Sequence, residues 1–471
     1  MNQEQHALIS EMTTKKKPSI GIIGAGMAGL SAAAQLHKLN YTNVTIYEAS
    51  ERIGGRIYYV ENGDKLIHHG AQFVDGTETP MYKLASSLGI SMERFDHEEK
   101  NIVSGRYKFS KDDELALTKF SEVVKERLSE GWNEIDENTT SFENILEEVF
   151  QNFIKMDPQR KSLYSGFKSV IRSDYENEWS AKADQLALVN FHKWSDHTKD
   201  GEEYLMSGEG YKVIVEEMLG RFPNKWIILN SRVENVDYSQ SKVALKLAND
   251  DILRYHDVVI VTVSLGHLKR YHKSLFSPQL PLEKIEAIEK LGFGDTMKLI
   301  LIYDDQFWKP EDYRTFILHV DGYNEGLSGD DFSKELNILQ GYPYWTDKML
   351  YFWLSGDGPR KAGLMSNEEL SKCVTNLLRI MFQNDSIKEP TTILRKQWNL
   401  DELFLGSYSC TTKEAAVLGN PQEKLASPIV HNGQLKVLFA GEATHETIYQ
   451  TVSGAYLSGE REANRIHRIW G

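Results

Sequence analysis

The sequence predicts an α/β protein built as two interleaved domains, a parallel-sheet domain and an α+β domain, each assembled from separated pieces of chain. Three observations lead there. An apolar strand near Pro18 runs into a glycine-rich turn, a small-residue helix and a second strand. The middle of the chain then switches to apolar residues at helical spacing. Beyond it, short runs rich in β-branched residues return at intervals, ending in a strand at Leu435 to Ala440 and a terminal helix.

Composition narrows the class. With 471 residues the chain is long enough for two large domains or three of ordinary size, at roughly 150 residues each. Hydrophobic residues at 41% and charged residues at 26% exclude a disordered, collagen-like or coiled-coil chain. A net charge of −14 argues against a nucleic-acid partner and suits a cationic one. Cys373 and Cys410 are too few for a disulfide-stapled fold or a zinc cluster, which points to a reducing, cytoplasmic setting. Lys15, Lys16 and Lys17 ahead of the uncharged run Ser19 to Leu36 imitate a signal peptide or a membrane span. Gly21, Gly24, Gly26 and Gly29 within that run make a poor lipid-facing helix, so no membrane partner is expected. The final residues, Arg468 to Gly471, carry no anchor and no peroxisomal tripeptide.

The elements follow in order. Residues 1–17 form a polar tail, and 18–95 make the first part of the parallel-sheet domain. Residues 96–204 belong to the second domain and include a helical insertion, with helices at Lys119 to Trp132 and Phe142 to Met156 and a capping box from Thr140 and Glu143. Residues 205–290 return to the first domain through strands at Ile227 to Leu229, Val243 to Leu247 and Val258 to Val263. Residues 291–415 complete the second domain. There Ser366 and Glu369 cap a helix whose apolar stripe makes Cys373 a packing residue. Residues 416–471 supply the last strand and helix.

Chemistry enters at the first turn. Ile20 to Ile23 is a buried strand, followed by Gly24-Ala25-Gly26-Met27-Ala28-Gly29. Gly24 permits the tight turn, Gly26 lets the backbone approach a pyrophosphate, and Gly29 lets the helix lie against the strand. Phosphates then rest on the helix N-terminus, where free N–H groups and the dipole favour negative charge. The second strand, Val44 to Tyr47, ends in Glu48, about twenty residues on, placed to accept hydrogen bonds from ribose hydroxyls. These pieces in register predict dinucleotide binding without a 2′-phosphate. Arg52-Ile53-Gly54-Gly55-Arg56 follows directly.

From Glu48 to Arg56 the chain resembles the second glycine motif of the flavin-dependent amine oxidases, which holds FAD. Distant pieces extend the resemblance in the same order: Val233; Asp257 to Gly266; Leu291-Gly292-Phe293-Gly294 with Lys298; Trp398 with Gly406-Ser407-Tyr408-Ser409; and Phe439 to His445 with Gly454-Ala455, Ser458-Gly459 and Arg461-Glu462-Ala463. The last of these is similar to the spermine and polyamine oxidase branch. The resemblance implies a Rossmann-like FAD-binding domain from 18–95, 205–290 and 416–471, and a substrate-binding domain from 96–204 and 291–415. It implies FAD held by Gly24, Gly26, Gly29, Glu48, Arg52, Gly55, Arg56, Val233, Trp398, Gly441, Glu442, Thr451 and Val452. Lys298 is expected to hold a water near flavin N5, and Glu442 to touch the ribityl chain. The helix from Thr451 and Val452 should aim its positive end at the flavin.

The implied reaction is polyamine oxidation. A neutral amine of spermine, spermidine or an N-acetylated form passes hydride from its α-carbon to N5, since an ammonium has no lone pair to stabilise the developing iminium. Water hydrolyses the imine to an aminoaldehyde and a shorter amine, and oxygen reoxidises the flavin to give hydrogen peroxide. An amino-acid oxidase and a catalytically silent flavin-binding interaction protein are the alternatives. The former needs a cation for the substrate carboxylate. The protein is expected to be a monomer or a weak dimer.

Departures from the branch pattern concern the substrate. Where the branch reads Glu-Leu-Gly-Ala, this chain has His68-His69-Gly70-Ala71, followed by Gln72-Phe73-Val74-Asp75-Gly76. Asp75 is either an anchor for a substrate ammonium or a turn residue before Gly76. Tyr449 and Tyr408 are either aromatic substrate walls or core residues. Thr451-Val452-Ser453 stands where Thr-Thr-His is frequent. His68 and His69 point to opposite faces of a strand and lack a third ligand, so no metal is expected. Cys410 does not occupy the flavin-attachment position of the monoamine oxidases, so the flavin is non-covalent. The pairs Glu202-Glu203 and Asp330-Asp331 read as solvated faces.

Overall fold

A computed structural model describes residues 17–63, 65–95, 101–195, 202–206, 208–309, 314–323, 332–341 and 348–471. Of the expected tail only Lys17 lies within these, its ammonium bonded to the carbonyls of Leu39 and Asn40. Asp330 and Asp331 lie outside the described residues.

The first sheet has six strands in the order Ile429–His431, Gln434–Phe439, Val258–Val261, Ile20–Ile23, Val44–Tyr47 and Ile227–Ile228. All pairs are parallel except the outer one, Ile429–His431 with Gln434–Phe439. The two central strands are buried along their whole length because helices cover both faces, which is why they read as unbroken apolar runs. Helix Met27–Lys38 leaves the central strand, and the terminal helix Val452–Trp470 lies along it.

A second six-stranded sheet runs Thr392–Leu394, Met297–Ile302, Met349–Leu354, Ile338–Gly341, Arg314–Ile317 and Asn101–Val103. Its strands alternate. Met297, Leu299 and Leu301 pack with Leu370, Val374 and Leu378 of helix Asn367–Phe382, so Lys298 must face the other way. The capping box of that helix forms as the sequence predicts, with Glu369 N–H donating to Ser366 Oγ at 3.2 Å and Ser366 N–H to Glu369 Oε2 at 2.8 Å. Cys373 packs half-buried against the same core. A three-stranded sheet, Phe73–Asp75, Glu203–Met206 and Met92–Phe95, joins distant pieces of chain beside it.

The helical insertion comprises Lys111–Ser129, Phe142–Met156 and Lys161–Trp179. Two expectations are corrected. The first helix starts eight residues earlier than Lys119, behind a Ser110/Asp113 capping box, and stops before Trp132. The second is capped by Ser141 and Asn144, not by Thr140 and Glu143. Phe142 is fully buried at the first helical position, which makes the residue just before it the cap. Glu143 instead takes the guanidinium of Arg172 at 2.5 Å.

Candidate active site

A cavity of about 620 Å³ runs from the first glycine turn, between the two six-stranded sheets, to the helices of the insertion. The turn is built as the glycine spacing requires. Gly24 has φ +106°, and a Cβ on Gly29 would stand 2.0 Å from the Gly24 carbonyl oxygen, so Gly29 packs the helix from beneath and does not face the cavity. Gly26, Met27 and Ala28 line the cavity, and no side chain caps this helix end. Gly54 N–H donates to Ala25 O at 2.9 Å, and a Cβ on Gly55 would lie 3.2 Å from Gly26 Cα. The two glycine motifs therefore touch, a contact that neither motif announces separately.

Glu48 is buried at the end of its strand and lines the cavity. Its carboxylate accepts from Ala25 N–H at 2.6 Å and from the N–H and hydroxyl of Ser50, both at 2.8 Å. A carboxylate has about four acceptor sites, which leaves capacity for one further hydroxyl. Val233, Gly55 and Arg56 line the same end. Arg52 does not line it. Burial pulls its pKa below the ordinary arginine value, and its guanidinium donates to the carbonyls of Ile53, Ile57 and Gly55 at 3.1, 3.2 and 2.7 Å, fixing the shape of the second glycine loop. Arg52 thus acts on the loop's backbone.

Glu442 joins four segments. It is 3% exposed and accepts from Arg56 Nη1 at 2.9 Å, Ser409 Oγ at 2.6 Å and Gln450 N–H at 2.8 Å. Arg56 also reaches Ser407 O at 2.6 Å. The terminal helix begins beside this hub with Thr451 as its cap, and Gly441, Thr451, Val452 and Ala455 line the cavity.

Lys298 is buried and lines the cavity. Its ammonium donates to His68 O at 3.2 Å, Gly70 O at 3.1 Å and the side-chain oxygen of Gln72, and lies 5.1 Å from the Trp353 ring centroid. Those three acceptors use the full donor capacity of an ammonium. Burial brings its pKa down to about 7. Trp398, 4% exposed, and Tyr408 form walls nearby, and the Tyr408 hydroxyl is tied to the carbonyl of Asn177. Tyr449 does not reach the cavity. Its hydroxyl donates to Asn190 Oδ1 at 2.8 Å within a fully buried cluster that includes Trp179, so the wall expectation is corrected to core packing.

At the far end the reading of Glu202-Glu203 as an idle solvated face is overturned. Both line the cavity with Asp75. Asp75 and Glu203 are direct partners across antiparallel strands, which puts two carboxylates side by side on one face. Cross-strand register brings them together over more than a hundred residues of chain, and a charge count along the sequence has no means of detecting it. Asp174 and Arg314 line the same region as an ion pair at 3.1 Å.

These residues fit FAD. An uncapped helix N-terminus faces the cavity, the crossed glycines leave no side chain in the way, Glu48 has acceptor capacity to spare, and the start of the terminal helix lines the same cavity. Cys410 does not line the cavity, and burial raises its thiol to about 12, which keeps it protonated. His68 turns away toward Gly208 O at 3.3 Å, whereas His69 lines the cavity. No group of three metal-ligating side chains occurs among the described residues, and no helix of them is long and apolar enough to cross a membrane.

The family model for flavin containing amine oxidoreductases matches residues 27–467. The chain is 27% identical to the bovine peroxisomal N(1)-acetyl-spermine/spermidine oxidase, over 96% of this chain and 95% of that protein. It is 27% identical to the probable polyamine oxidase 5 of Arabidopsis thaliana, over 96% and 98% of the two chains. Human lysine-specific histone demethylase 2 is 29% identical over 95% of this chain, which spans 53% of that protein. Among solved structures, a putrescine oxidase double mutant redesigned in its cofactor binding superposes with a TM-score of 0.69 at 18% identity, covering 96% of this chain and 99% of that one.

Proposed function

The chain belongs to the flavin-containing amine oxidoreductase family, and from that premise we propose that it is an FAD-dependent polyamine oxidase of the spermine oxidase type, acting on spermine, spermidine or N-acetylated forms. Bound FAD supplies a two-electron acceptor that oxygen returns to its oxidised state with release of hydrogen peroxide. Gly26, Gly55 and the first helix N-terminus take its pyrophosphate, Glu48 its ribose, and the Arg56–Glu442 hub together with the terminal helix its flavin half.

One observation carries the substrate assignment: Asp75, Glu202 and Glu203 cluster at the end of the cavity away from the glycine turn. Glu202 already has the Arg94 guanidinium at 3.2 Å, and the acidic field of the three carboxylates together favours a further cation at this place. An ammonium at one end of a polyamine suits that field with short charge-assisted contacts. Lys298 also lines the cavity, and its charged form opposes a second ammonium beside it, which favours the neutral nitrogen that hydride loss requires. Between the two ends, Trp353, Phe316 and Tyr408 offer apolar walls to a methylene chain. An amino-acid oxidase would need a cation for its substrate carboxylate. Arg314 lines the cavity, but Asp174 already pairs with it.

Anaerobic bleaching of the yellow protein tests the assignment. Spermine, spermidine and N1-acetylspermine are expected to bleach the flavin, whereas monoamines, amino acids and methylated lysine peptides are not. Asp75→Asn and Glu203→Gln should each raise the Michaelis constant for spermine about ten- to a hundredfold, the effect of one lost charge-assisted contact. Bleaching by amino acids or methylated peptides alone, or unchanged Michaelis constants in both variants, would sink the polyamine reading.

A further inference from the structure

His69 stands out among the polar groups that the mechanism above leaves unused. It is 6% exposed, yet it lines the cavity, and its buried Nδ1 has no hydrogen-bond partner among the described residues. A buried imidazole that serves packing alone ordinarily finds one. His267 and His272 do so through the carbonyls of Glu402 and Leu268, at 3.2 and 2.9 Å. His69 instead has the Tyr58 ring 5.9 Å away on one side, and the backbone carbonyls flanking it, those of His68 and Gly70, hold Lys298.

We propose that His69 donates a hydrogen bond to the flavin ring system at the end of the cavity where Lys298 sits, and so favours the reduced cofactor. The inference rests on FAD occupying this cavity. The groups facing His69 are Lys298, Lys396, His68 and Tyr58. Burial first, then the charges of Lys298 and Lys396, bring the imidazole down to about 4, so it is neutral and keeps one N–H to give. The reduced ring carries more negative charge than the oxidised one, and a donor at its edge is worth more after reduction than before. A leucine, the residue that the branch pattern carries here, has nothing to donate.

The test compares the wild-type holoenzyme with His69→Leu and His69→Gln by redox titration and visible absorption. His69→Leu should weaken the preference for the reduced state about tenfold, a shift of about 30 mV to more negative potential for a two-electron couple, and displace the flavin absorption bands. His69→Gln, which keeps a neutral donor, should stay near the wild type. A leucine variant whose potential and spectrum superimpose on the wild type overturns the proposal. If that variant does not retain flavin, His69→Phe, a ring without nitrogens, replaces it with the same two outcomes. A wild-type chain that takes up no flavin overturns the placement of FAD and this inference with it.

Discussion

Glu442→Ala is expected to yield a protein that folds but retains little flavin. The carboxylate is buried and takes three donors, from Arg56, Ser409 and Gln450. Truncation leaves the Arg56 guanidinium without its ion partner and two buried donors without an acceptor. Breaking a buried ion pair costs about 3–5 kcal/mol, and the lower end applies because the Arg56 side chain keeps a quarter of its exposure. The loss falls where the second glycine motif, the Ser407–Ser409 segment and the start of the terminal helix meet, so it is felt as cofactor affinity before it is felt as unfolding. Glu442→Gln should be milder, since one oxygen can still take Arg56, though its amide cannot accept the Gln450 N–H. The ratio of flavin to protein absorbance after gel filtration measures the effect. Full retention of flavin by the alanine variant would show that the hub does not support the cofactor site.

Lys298→Met is expected to slow reoxidation of the reduced enzyme by oxygen roughly 10²–10³-fold, the usual effect of removing one preorganised electrostatic stabiliser. Negative charge develops on oxygen as it takes up electrons, and the lysine is a buried cation lining the cavity. Its pKa of about 7 adds a signature. The wild-type reoxidation rate should fall as pH rises through 7 and Nζ loses its proton, while the methionine variant should show no such fall. Stability carries the opposite sign. Between pH 7 and the unfolded lysine value near about 10.4 the unfolded chain holds a proton that the folded chain has shed, so this group makes stability rise with pH across that window. Below pH 7 that contribution is gone, and the variant should lack the rise. Stopped-flow reoxidation and denaturant titration at several pH values read the two effects. Equal reoxidation rates for the wild type and the variant would remove Lys298 from the oxygen step.

The first glycine motif and Glu48 were legible in the chain because each depends on a local pattern, whereas the second glycine motif, Arg56, Glu442 and Lys298 were singled out through the family resemblance. A strand followed by glycines at fixed spacing has few other uses, and a lysine amid Met297, Leu299 and Leu301 must turn away from the core those residues build. The boundaries of the insertion helices were less legible. Several polar residues compete to cap Phe142–Met156, and only the burial of Phe142 selects Ser141. Tyr449 stayed open between wall and core, and Glu203 was given no role, for one reason: what an aromatic or acidic side chain does depends on its partner. Asn190 settles the first and the strand register with Asp75 the second.

By itself, therefore, the amino-acid sequence determined the α/β class and the dinucleotide cradle, since short-range spacing encodes turns, strands and helix ends, and its resemblance to the amine oxidases pointed to the flavin chemistry. Only the tertiary structure decided that three carboxylates share one end of the cavity, that Tyr449 belongs to the core and that His69 lines the cavity with its Nδ1 unpartnered among the described residues. Charge and hydrogen bonding act through space over a few ångströms, and residues far apart along the chain come within that range only once the sheets have paired.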